Sequence, residues 1–201
     1  MLNIAAVLYD DFELLDVYGP LEMFGLLPEN FTIHLVAEES HPVKSAQGPK
    51  SVVDGVFNLA RQYEILLIPG GRGSRVQVNN PVLLNWIQQQ STHADYVASV
   101  CTGSAILAKT GLLDQQSATT NKRAFEWVKQ QAPNVNWVHQ ARWVESGKFI
   151  SSSGVSAGMD MSLGLIARIL GEHIAQQVAC RAEYDWHNDP NWDPFAQLSI
   201  D

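Results

Sequence analysis

The sequence has few cysteines, a deficit of basic residues and no long apolar run, and each shortage excludes a class of protein. Two cysteines in 201 residues are too few for a disulfide scaffold, so a reducing cytoplasm is the expected setting. The 13 Lys and Arg residues are outnumbered by 21 Asp and Glu residues, which gives a net charge of −8. Binding to nucleic acid or to an anionic membrane surface is therefore not expected, because phosphate contacts need clustered basic side chains.

Membrane-spanning and targeting segments are also missing from the sequence pattern. No stretch approaches the ~20 apolar residues that span a bilayer. The N-terminal MLNIAAVLYDDFELLD has no basic start and meets acidic residues early, so it is predicted as a first strand and not as a signal peptide. A chain of 201 residues with 46% hydrophobic residues suits one core, and residues 1–201 are predicted to form a single domain.

Short apolar runs alternate with helical patterns along the chain. The runs NIAAVLY, FTIHLVAE, YEILLIPGG and YVASVC are bounded by glycine, proline and polar residues, which is typical of buried parallel strands. The segment ARWVESGKFISSS has the pattern of a β-hairpin with a Ser-Gly turn. This alternation predicts an α/β fold, a three-layer αβα sandwich of flavodoxin-like type with a mostly parallel sheet and a small β-hairpin.

Proline, glycine and small polar residues indicate where the helices begin and end. Pro20 is predicted near the start of the first helix. Gly111 is predicted to stop a helix that begins near Thr102. Thr119 or Thr120 is predicted to cap the helix in TTNKRAFEWVKQQ.

The stretch SVCTGSAILAKTGLL places Cys101 where a strand runs into a helix, and small residues follow it. A helix N-terminus stabilises negative charge, so a thiol there can have its pKa lowered from ~8.5 into the range of about 3.5–7.5. Cys101 is therefore a candidate nucleophile, although a buried structural thiol explains a lone strand cysteine equally well. Cys180 lies inside an amphipathic helical pattern and is predicted to be a core residue.

Three other features have a functional and a structural interpretation. Gly70 and Gly71 follow an apolar strand and can bring backbone N–H groups close to a ligand, or can simply form a turn. Asp16 precedes a helical pattern, where a capping role is favoured from the sequence alone. The tail EYDWHNDPNWDPF gathers His187 with several aspartates, including Asp193, but without metal-ligand spacing. No metal site is expected, and a solvated, turn-rich tail is predicted over residues 185–201.

Five stretches, in order over nearly the whole chain, resemble the ThiJ/PfpI superfamily, the one-domain relatives of class I glutamine amidotransferases. They are LYDDFELLDVYGPLEMF, LLIPGGRGS, SVCTGSAILAKTGLLDQQSATT, SSSGVSAGMDMSLGL and AEYDW. Within the superfamily the chain is most similar to isonitrile hydratase-like proteins. That resemblance implies that Asp16 is catalytic and reaches the nucleophile Cys101. A proton held on the carboxyl beside a thiolate would make a general acid and a nucleophile.

The resemblance also implies the surroundings of this pair. The N–H groups of Gly71 and Thr102 are expected to form an oxyanion-hole-like pair, and Thr102 to place its hydroxyl near the reacting molecule. Peptidase-like and amidase-like relatives have His immediately after the cysteine, so Thr102 disfavours a Cys–His hydrolase. The residues expected to bind substrate are Gly70, Gly71, Ser153 and Gly154.

The reaction implied is hydration of an isonitrile to an N-substituted formamide through a thioimidate, with no metal or organic cofactor. Many close relatives have His where this chain has Asn121, which leaves the substrate open. The alternatives are a glyoxalase-type or deglycase-type carbonyl enzyme and a non-enzymatic redox sensor whose Cys101 oxidises. Expected partners are a small-molecule substrate and a second copy of the chain in a homodimer. The regulatory proteins that share these motifs are disfavoured, since little chain follows the domain.

Overall fold

A seven-stranded sheet forms the centre of the structure, a computed structural model that describes residues 1–57 and 60–197. The strands are β1 (Leu2–Val7), β2 (Phe31–Ala37), β3 (Val43–Lys44), β4 (Lys50–Ser51), β5 (Gly55–Val56), β6 (Ile65–Ile68), β7 (Tyr96–Val100), β8 (Ser117–Ala118), β9 (Asn136–Trp137), β10 (Trp143–Ser146) and β11 (Phe149–Ser152). The large sheet has the order β10-β11-β7-β6-β1-β2-β5, and short pairs form from β3 with β4 and from β8 with β9.

Helices flank this sheet and connect its strands. They are α1 (Leu14–Gly25), α2 (Ser74–Gln77), α3 (Pro81–Ser91), α4 (Gly103–Lys109), α5 (Phe125–Gln131), α6 (Ala157–Leu170) and α7 (Glu172–Arg181), with 3₁₀ turns at Lys122–Ala124 and Pro194–Gln197. Neighbouring strands of the large sheet are parallel except β10, which pairs antiparallel with β11. The predicted α/β fold with a mostly parallel sheet and a hairpin is confirmed.

The direction of the chain changes in the middle of the sheet. All four residues of β6 are buried, and β1 is buried over its last four residues, which explains their continuous apolar sequences. From β1 the chain continues to β2 on one side, whereas β6 and β7 lie on the other side. In open α/β sheets, ligands bind at such a switch point, outside the carboxyl ends of the strands. The segments that leave β1, β6 and β7 meet there.

Two predicted helix boundaries are wrong and one is confirmed. Glu13 is the N-cap of α1, so Pro20 lies in mid-helix, where it has no N–H to donate to the carbonyl four residues earlier. Asn121 caps the 3₁₀ turn before α5 by accepting a hydrogen bond from the N–H of Ala124, a position predicted for Thr119 or Thr120. α4 ends just before Gly111, as predicted.

Cys180 is exposed, and its predicted place in the core is wrong. Val178 and Ala179 beside it are buried, because they occupy the face of α7 that packs on the rest of the chain. The apolar pattern therefore identified the helix correctly and its buried face incorrectly.

Among the described residues, no helix combines the length and the hydrophobicity that crossing a lipid bilayer requires.

Candidate active site

Cys101 occupies a sharp turn between β7 and α4. Its backbone has φ +57°, a left-handed conformation that non-glycine residues rarely adopt. The turn is fixed by hydrogen bonds from the Cys101 N–H to the carbonyl oxygens of Ser152 (3.3 Å) and Ser153 (3.0 Å). The Cys101 carbonyl accepts from the hydroxyls of Ser104 and Thr120, each at 2.9 Å. Such strain at one residue, held by its neighbours on all sides, is typical of a functional position.

Gly103 makes the turn possible because the chain passes close to β6 there. A Cβ on Gly103 would lie 2.2 Å from the carbonyl oxygen of Ile68. We expect Gly103→Ala to lower the free energy of unfolding by about 1–3 kcal/mol, since overpacking forces backbone shifts. Urea unfolding measures this change. Lys109→Ala, at an exposed position of the same helix, is the control and should change stability by less than about 0.5 kcal/mol. Equal effects of the two substitutions would contradict the close approach.

Asp16 points from the first turn of α1 toward the loop after β6. The carboxyl is fully buried, and its Oδ2 accepts a hydrogen bond of 2.8 Å from the N–H of Gly70. Its Oδ1 is buried without a hydrogen-bond partner in the described part of the chain. The N-cap of α1 is Glu13, so Asp16 does not cap the helix, and the capping role that the sequence alone favoured is wrong.

Burial raises the pKa of both members of the Cys101–Asp16 pair. For Asp16, burial raises the pKa from 3.8 to about 8; the Gly70 N–H lowers it, the charge of Glu13 raises it and the Cys101 thiol lowers it. For Cys101, burial raises the pKa of the thiol, with the Asp16 charge adding to it and the N–H groups of Thr102 and Val155 opposing it. The predicted lowering of the thiol pKa is wrong, because the short helix α4 cannot offset desolvation beside a carboxyl.

At neutral pH the pair therefore holds its protons. The raised pKa values keep the proton on the carboxyl and also on the sulfur, so the expected pair of a neutral carboxyl and a thiolate is replaced at rest by a neutral carboxyl and a thiol. Oδ2 accepts the Gly70 N–H, so a proton on Oδ1 leaves that hydrogen bond intact. The site thus contains a thiol and a neutral acid whose proton is free to move to a reacting atom.

The loop after β6 packs directly on this pair. A Cβ on Gly70 would lie 2.6 Å from the Thr102 nitrogen and 2.9 Å from Asp16 Oδ2, so only glycine fits. The Gly71 N–H donates to Thr102 Oγ1 at 3.1 Å, and the Ser74 hydroxyl lies 2.9 Å from the same oxygen. The Gly71 N–H is therefore not free to form the predicted oxyanion-hole-like pair with the Thr102 N–H, because it already donates to the Thr102 hydroxyl. The Thr102 hydroxyl holds the loop in place.

Two contributors to the site were missed by sequence reasoning. The hydroxyl of buried Tyr9 donates to the carbonyl oxygens of Pro69 (2.6 Å) and Gly70 (2.9 Å), which anchors the loop from below. The N–H of Val155 interacts with the Cys101 sulfur, and Val155 has a positive φ of 35°. Tyr9 lies within the apolar pattern of the first strand, and Val155 contributes only its backbone N–H, so the turn sequence SSGVSAG was the one signal, and it pointed to Val155.

Comparison with known proteins identifies the family. The model of the DJ-1/PfpI family matches residues 3–168. The chain belongs to the DJ-1/PfpI family. Isonitrile hydratase of Pseudomonas putida is 31% identical over 184 residues, covering 91% of this chain and 78% of that protein. A ThiJ/PfpI family protein from Pseudomonas syringae, with a solved crystal structure, has a TM-score of 0.83 at 30% identity, covering 92% of this chain and 75% of that one.

The names of the relatives in the DJ-1/PfpI family indicate different functions, an isonitrile hydratase and a transcriptional regulator among them. The HTH-type transcriptional regulator CdhR of Pseudomonas aeruginosa is 27% identical over 146 residues, which cover 73% of this chain and 43% of the regulator. Family membership therefore establishes the fold and the ancestry, and the reaction must be argued from the residues of the site.

In this DJ-1/PfpI-family protein a cavity of about 230 Å³ lies beside the segment that contacts Cys101, although Cys101 itself does not line it. Ser153, Gly154 and Val155 form one side of it, and Val155 is also the residue whose N–H interacts with Cys101. Gly154 lies against Asn121, whose Nδ2 would be 2.6 Å from a Cβ at that position. The structure thus brings the predicted Ser153 and Gly154 to the cavity, and Asn121 lines it as well.

The tail is exposed over most of its described residues, 185–197, as predicted, and Asp193 is the exception. Asp193 is 1% exposed, and its carboxylate accepts a hydrogen bond of 2.6 Å from the Ser153 hydroxyl. Buried Lys122 lies 3.4 Å from the same carboxylate and compensates its charge. Residues 198–201 of the predicted tail lie outside the described residues. Within residues 1–57 and 60–197, no cluster of three His, Cys, Asp or Glu side chains is placed to hold a metal ion.

Proposed function

We propose that this protein hydrates small isonitriles to N-substituted formamides, with Cys101 as nucleophile and Asp16 as general acid and base. One observation carries the proposal: a carboxyl whose pKa is raised to about 8 by burial lies beside a thiol on a strained turn. An isonitrile carbon must receive a nucleophile and a proton on the same atom. A thiol and a neutral acid side by side supply both. The similarity to isonitrile hydratase of Pseudomonas putida supports the same reaction.

The first step adds the thiol across the terminal carbon of R–N≡C. The Cys101 sulfur forms a bond to that carbon while Asp16 Oδ1 gives its proton to the same atom. The thiol proton passes to the carboxylate, so Asp16 is neutral again and the product is a thioimidate, R–N=CH–S–Cys101. No net charge forms in the buried pocket, which avoids the cost of an isolated buried ion. A resting thiol of raised pKa is therefore compatible with the step.

The second step uses water and regenerates the enzyme. Asp16 protonates the imine nitrogen, and its carboxylate then accepts a proton from the water that attacks the carbon. The tetrahedral product R–NH–CH(OH)–S–Cys101 collapses: the carbon–sulfur bond breaks, Asp16 gives its proton to the sulfur and takes up the hydroxyl proton, and R–NH–CHO leaves. The N–H groups of Thr102 and Val155 stabilise the departing sulfur, because both act on its charged form. The sulfur recovers its proton through Asp16.

The pH dependence of kcat/KM should report the Asp16 carboxyl. Only the protonated form can start the reaction, so kcat/KM should fall about tenfold per pH unit above pH about 8 and be level below it. Steady-state rates from about pH 6 to about pH 10 measure the profile. Glu13→Gln removes a charge that raises the Asp16 pKa, so the fall should begin at lower pH in that variant. A rate that increases through pH 8 would contradict a neutral acid and indicate a thiolate-limited reaction.

A substrate panel tests the function itself. Methyl, butyl and cyclohexyl isonitriles should yield the matching formamides, detected by mass spectrometry, and methylglyoxal should persist. Consumption of methylglyoxal without formamide from any isonitrile would establish the carbonyl-enzyme alternative instead. Turnover of neither class, together with sulfinic acid on Cys101 after mild peroxide, would favour the redox sensor. The proposal needs a small-molecule partner, and a homodimer stays a prediction.

A further inference from the structure

The cavity beside residues 153–156 has a wall that comes from the far end of the chain. Residues of three separate segments surround it: Asn121, Arg123, Gly154, Val155, Ser156 and Phe195. Phe195 is a large apolar side chain on the tail and is 50% exposed. An exposed aromatic side chain at the edge of a cavity can cover a ligand.

A buried polar cluster of Ser153, Asp193 and Lys122, termed the lock, holds this wall in place. Asp193 accepts from the hydroxyl of Ser153 (2.6 Å) and from the N–H of Phe195 (3.0 Å). Lys122 is anchored beneath the carboxylate, because its ammonium also donates to Thr119 Oγ1 (3.0 Å) and to the carbonyl of Ala141 (2.8 Å). Each charge is compensated inside the protein, so removing one would leave the other buried and unpaired.

The lock is directly connected to the nucleophile. Ser153 donates its hydroxyl to Asp193, and its carbonyl oxygen accepts the N–H of Cys101 at 3.0 Å. The residues that follow Ser153 include Val155, whose N–H interacts with the Cys101 sulfur. The segment from Ser153 to Val155 thus contacts the Cys101 sulfur through Val155, and it holds the tail near Phe195 through the hydrogen bond from Ser153 to Asp193.

We propose that this cavity holds the N-substituent of the isonitrile, with Phe195 as its apolar wall and Asp193 as the positioning residue of that wall. The inference rests on the proposed function and names the substrate class more closely. A volume of about 230 Å³ is below the roughly 300–1,000 Å³ of drug-sized ligand pockets, so the substituent is compact. Lys122 and Arg123 line the cavity and no acidic residue among those the structure describes does, so a cationic substituent is disfavoured.

The first test compares two half-exposed aromatics of the tail. Phe195→Ala should raise KM for cyclohexyl isonitrile about tenfold and leave KM for methyl isonitrile within about twofold, because only the larger group reaches the wall. Trp192→Ala is the matched control: Trp192 is 49% exposed, contacts the His187 ring and does not line the cavity. It should affect neither substrate. Equal effects of the two variants, or equal effects on the two substrates, would overturn the assignment.

The second test does not depend on isonitrile turnover. Cys101 is alkylated with iodoacetamide or with N-cyclohexyl iodoacetamide, and peptide mass spectrometry follows each rate. The exposed Cys180 reports the intrinsic reactivity of the two reagents in the same sample. Phe195→Ala should lower the relative rate of the bulky reagent several-fold at Cys101 and not at Cys180. If wild type converts no isonitrile but this ratio still depends on Phe195, the reaction is wrong and the cavity assignment stands. An unchanged ratio overturns the cavity assignment.

The positioning role of Asp193 predicts the same selectivity. Asp193→Asn should raise KM for cyclohexyl isonitrile more than for methyl isonitrile, and the double variant with Phe195→Ala should add little to Phe195→Ala alone. A general loss of structure would instead lower kcat for both substrates equally, and that result would contradict the role. Where Asp193→Asn is poorly folded, Ser153→Ala removes one hydrogen bond of the lock and serves as the second variant.

Discussion

Cys101→Ala is expected to abolish formamide production, with a loss of about 10³-fold or more in kcat/KM. The reason is that the first step forms a bond to this sulfur, and no other thiol lies at the switch point of the sheet in the described residues. The turn itself should persist, because its hydrogen bonds involve only the backbone of Cys101. Formamide detected by chromatography and mass spectrometry measures the effect.

Cys180→Ala is the control for a general effect of removing a thiol. Cys180 is exposed on α7, and its replacement should leave the rate of formamide formation within about twofold. A positive signature is also available in wild type. A rapidly quenched reaction should contain a Cys101 peptide heavier by the whole mass of the isonitrile, since addition releases no leaving group. Formamide formation that survives Cys101→Ala would refute the covalent mechanism.

Asp16→Asn is expected to lower kcat/KM by about 10²–10⁴-fold, the range typical of a lost general acid. The amide is nearly the same shape, and its oxygen can still accept the Gly70 N–H, so the loop after β6 should stay in place. What is lost is the proton on Oδ1, which the isonitrile carbon must receive. A variant as active as wild type would show that addition of the thiol does not need the Asp16 carboxyl as its acid, and the proposed mechanism would have to be abandoned.

The same substitution should make the folded protein more stable at alkaline pH. Below about pH 3.8 the Asp16 carboxyl is protonated in the folded and in the unfolded chain, so it has no effect there. As the pH rises toward 8, the unfolded chain ionises first and the folded state loses stability relative to it. The pKa change from 3.8 to about 8 corresponds to on the order of 5 kcal/mol at pH 8. Asp16→Asn removes that cost.

Urea unfolding at about pH 5 and about pH 8 measures this effect, and the gain in stability should be larger at the higher pH. Asp160→Asn is the contrasting control. Asp160 is equally buried, but its carboxylate is paired with Arg142 at 2.6 Å, so the same chemical change should cost about 3–5 kcal/mol. An inactive Asp16→Asn protein that is also less stable than wild type at pH 8 would show that the carboxyl is structural.

The sequence predicted those parts of the site that are local in the chain. The strand–cysteine–glycine pattern located the turn at Cys101, and the double glycine after β6 located the loop that contacts it. Family resemblance was needed for Asp16, because a carboxylate at the start of a helix has an ordinary explanation as a cap. The predicted single domain and homodimer stay predictions.

The parts that the sequence did not predict depend on contacts between distant residues. Asp193 was assigned to solvent because aspartate beside proline is typical of turns, whereas Lys122, 71 positions earlier, provides the buried charge that holds it. The direction of the shift in the Cys101 pKa depends on how completely the surrounding chain excludes water from the thiol, and no local sequence pattern reports this. Pro20 was placed by its preference for the first helical turn, but α1 packs on α6 and its residues Leu21, Met23 and Phe24 are buried beyond Pro20.

The active site has no counterpart in any single stretch of the chain. Asp16, Gly70, Cys101 and Val155 are contributed by four segments that meet only when β1, β6, β7 and β11 lie side by side. Such pairings have high contact order and form late, because long loops must close before any contact is gained. Recovery of the proposed isonitrile-hydrating activity after dilution from denaturant should consequently lag behind recovery of helical circular dichroism, so that this activity would report the last stage of folding.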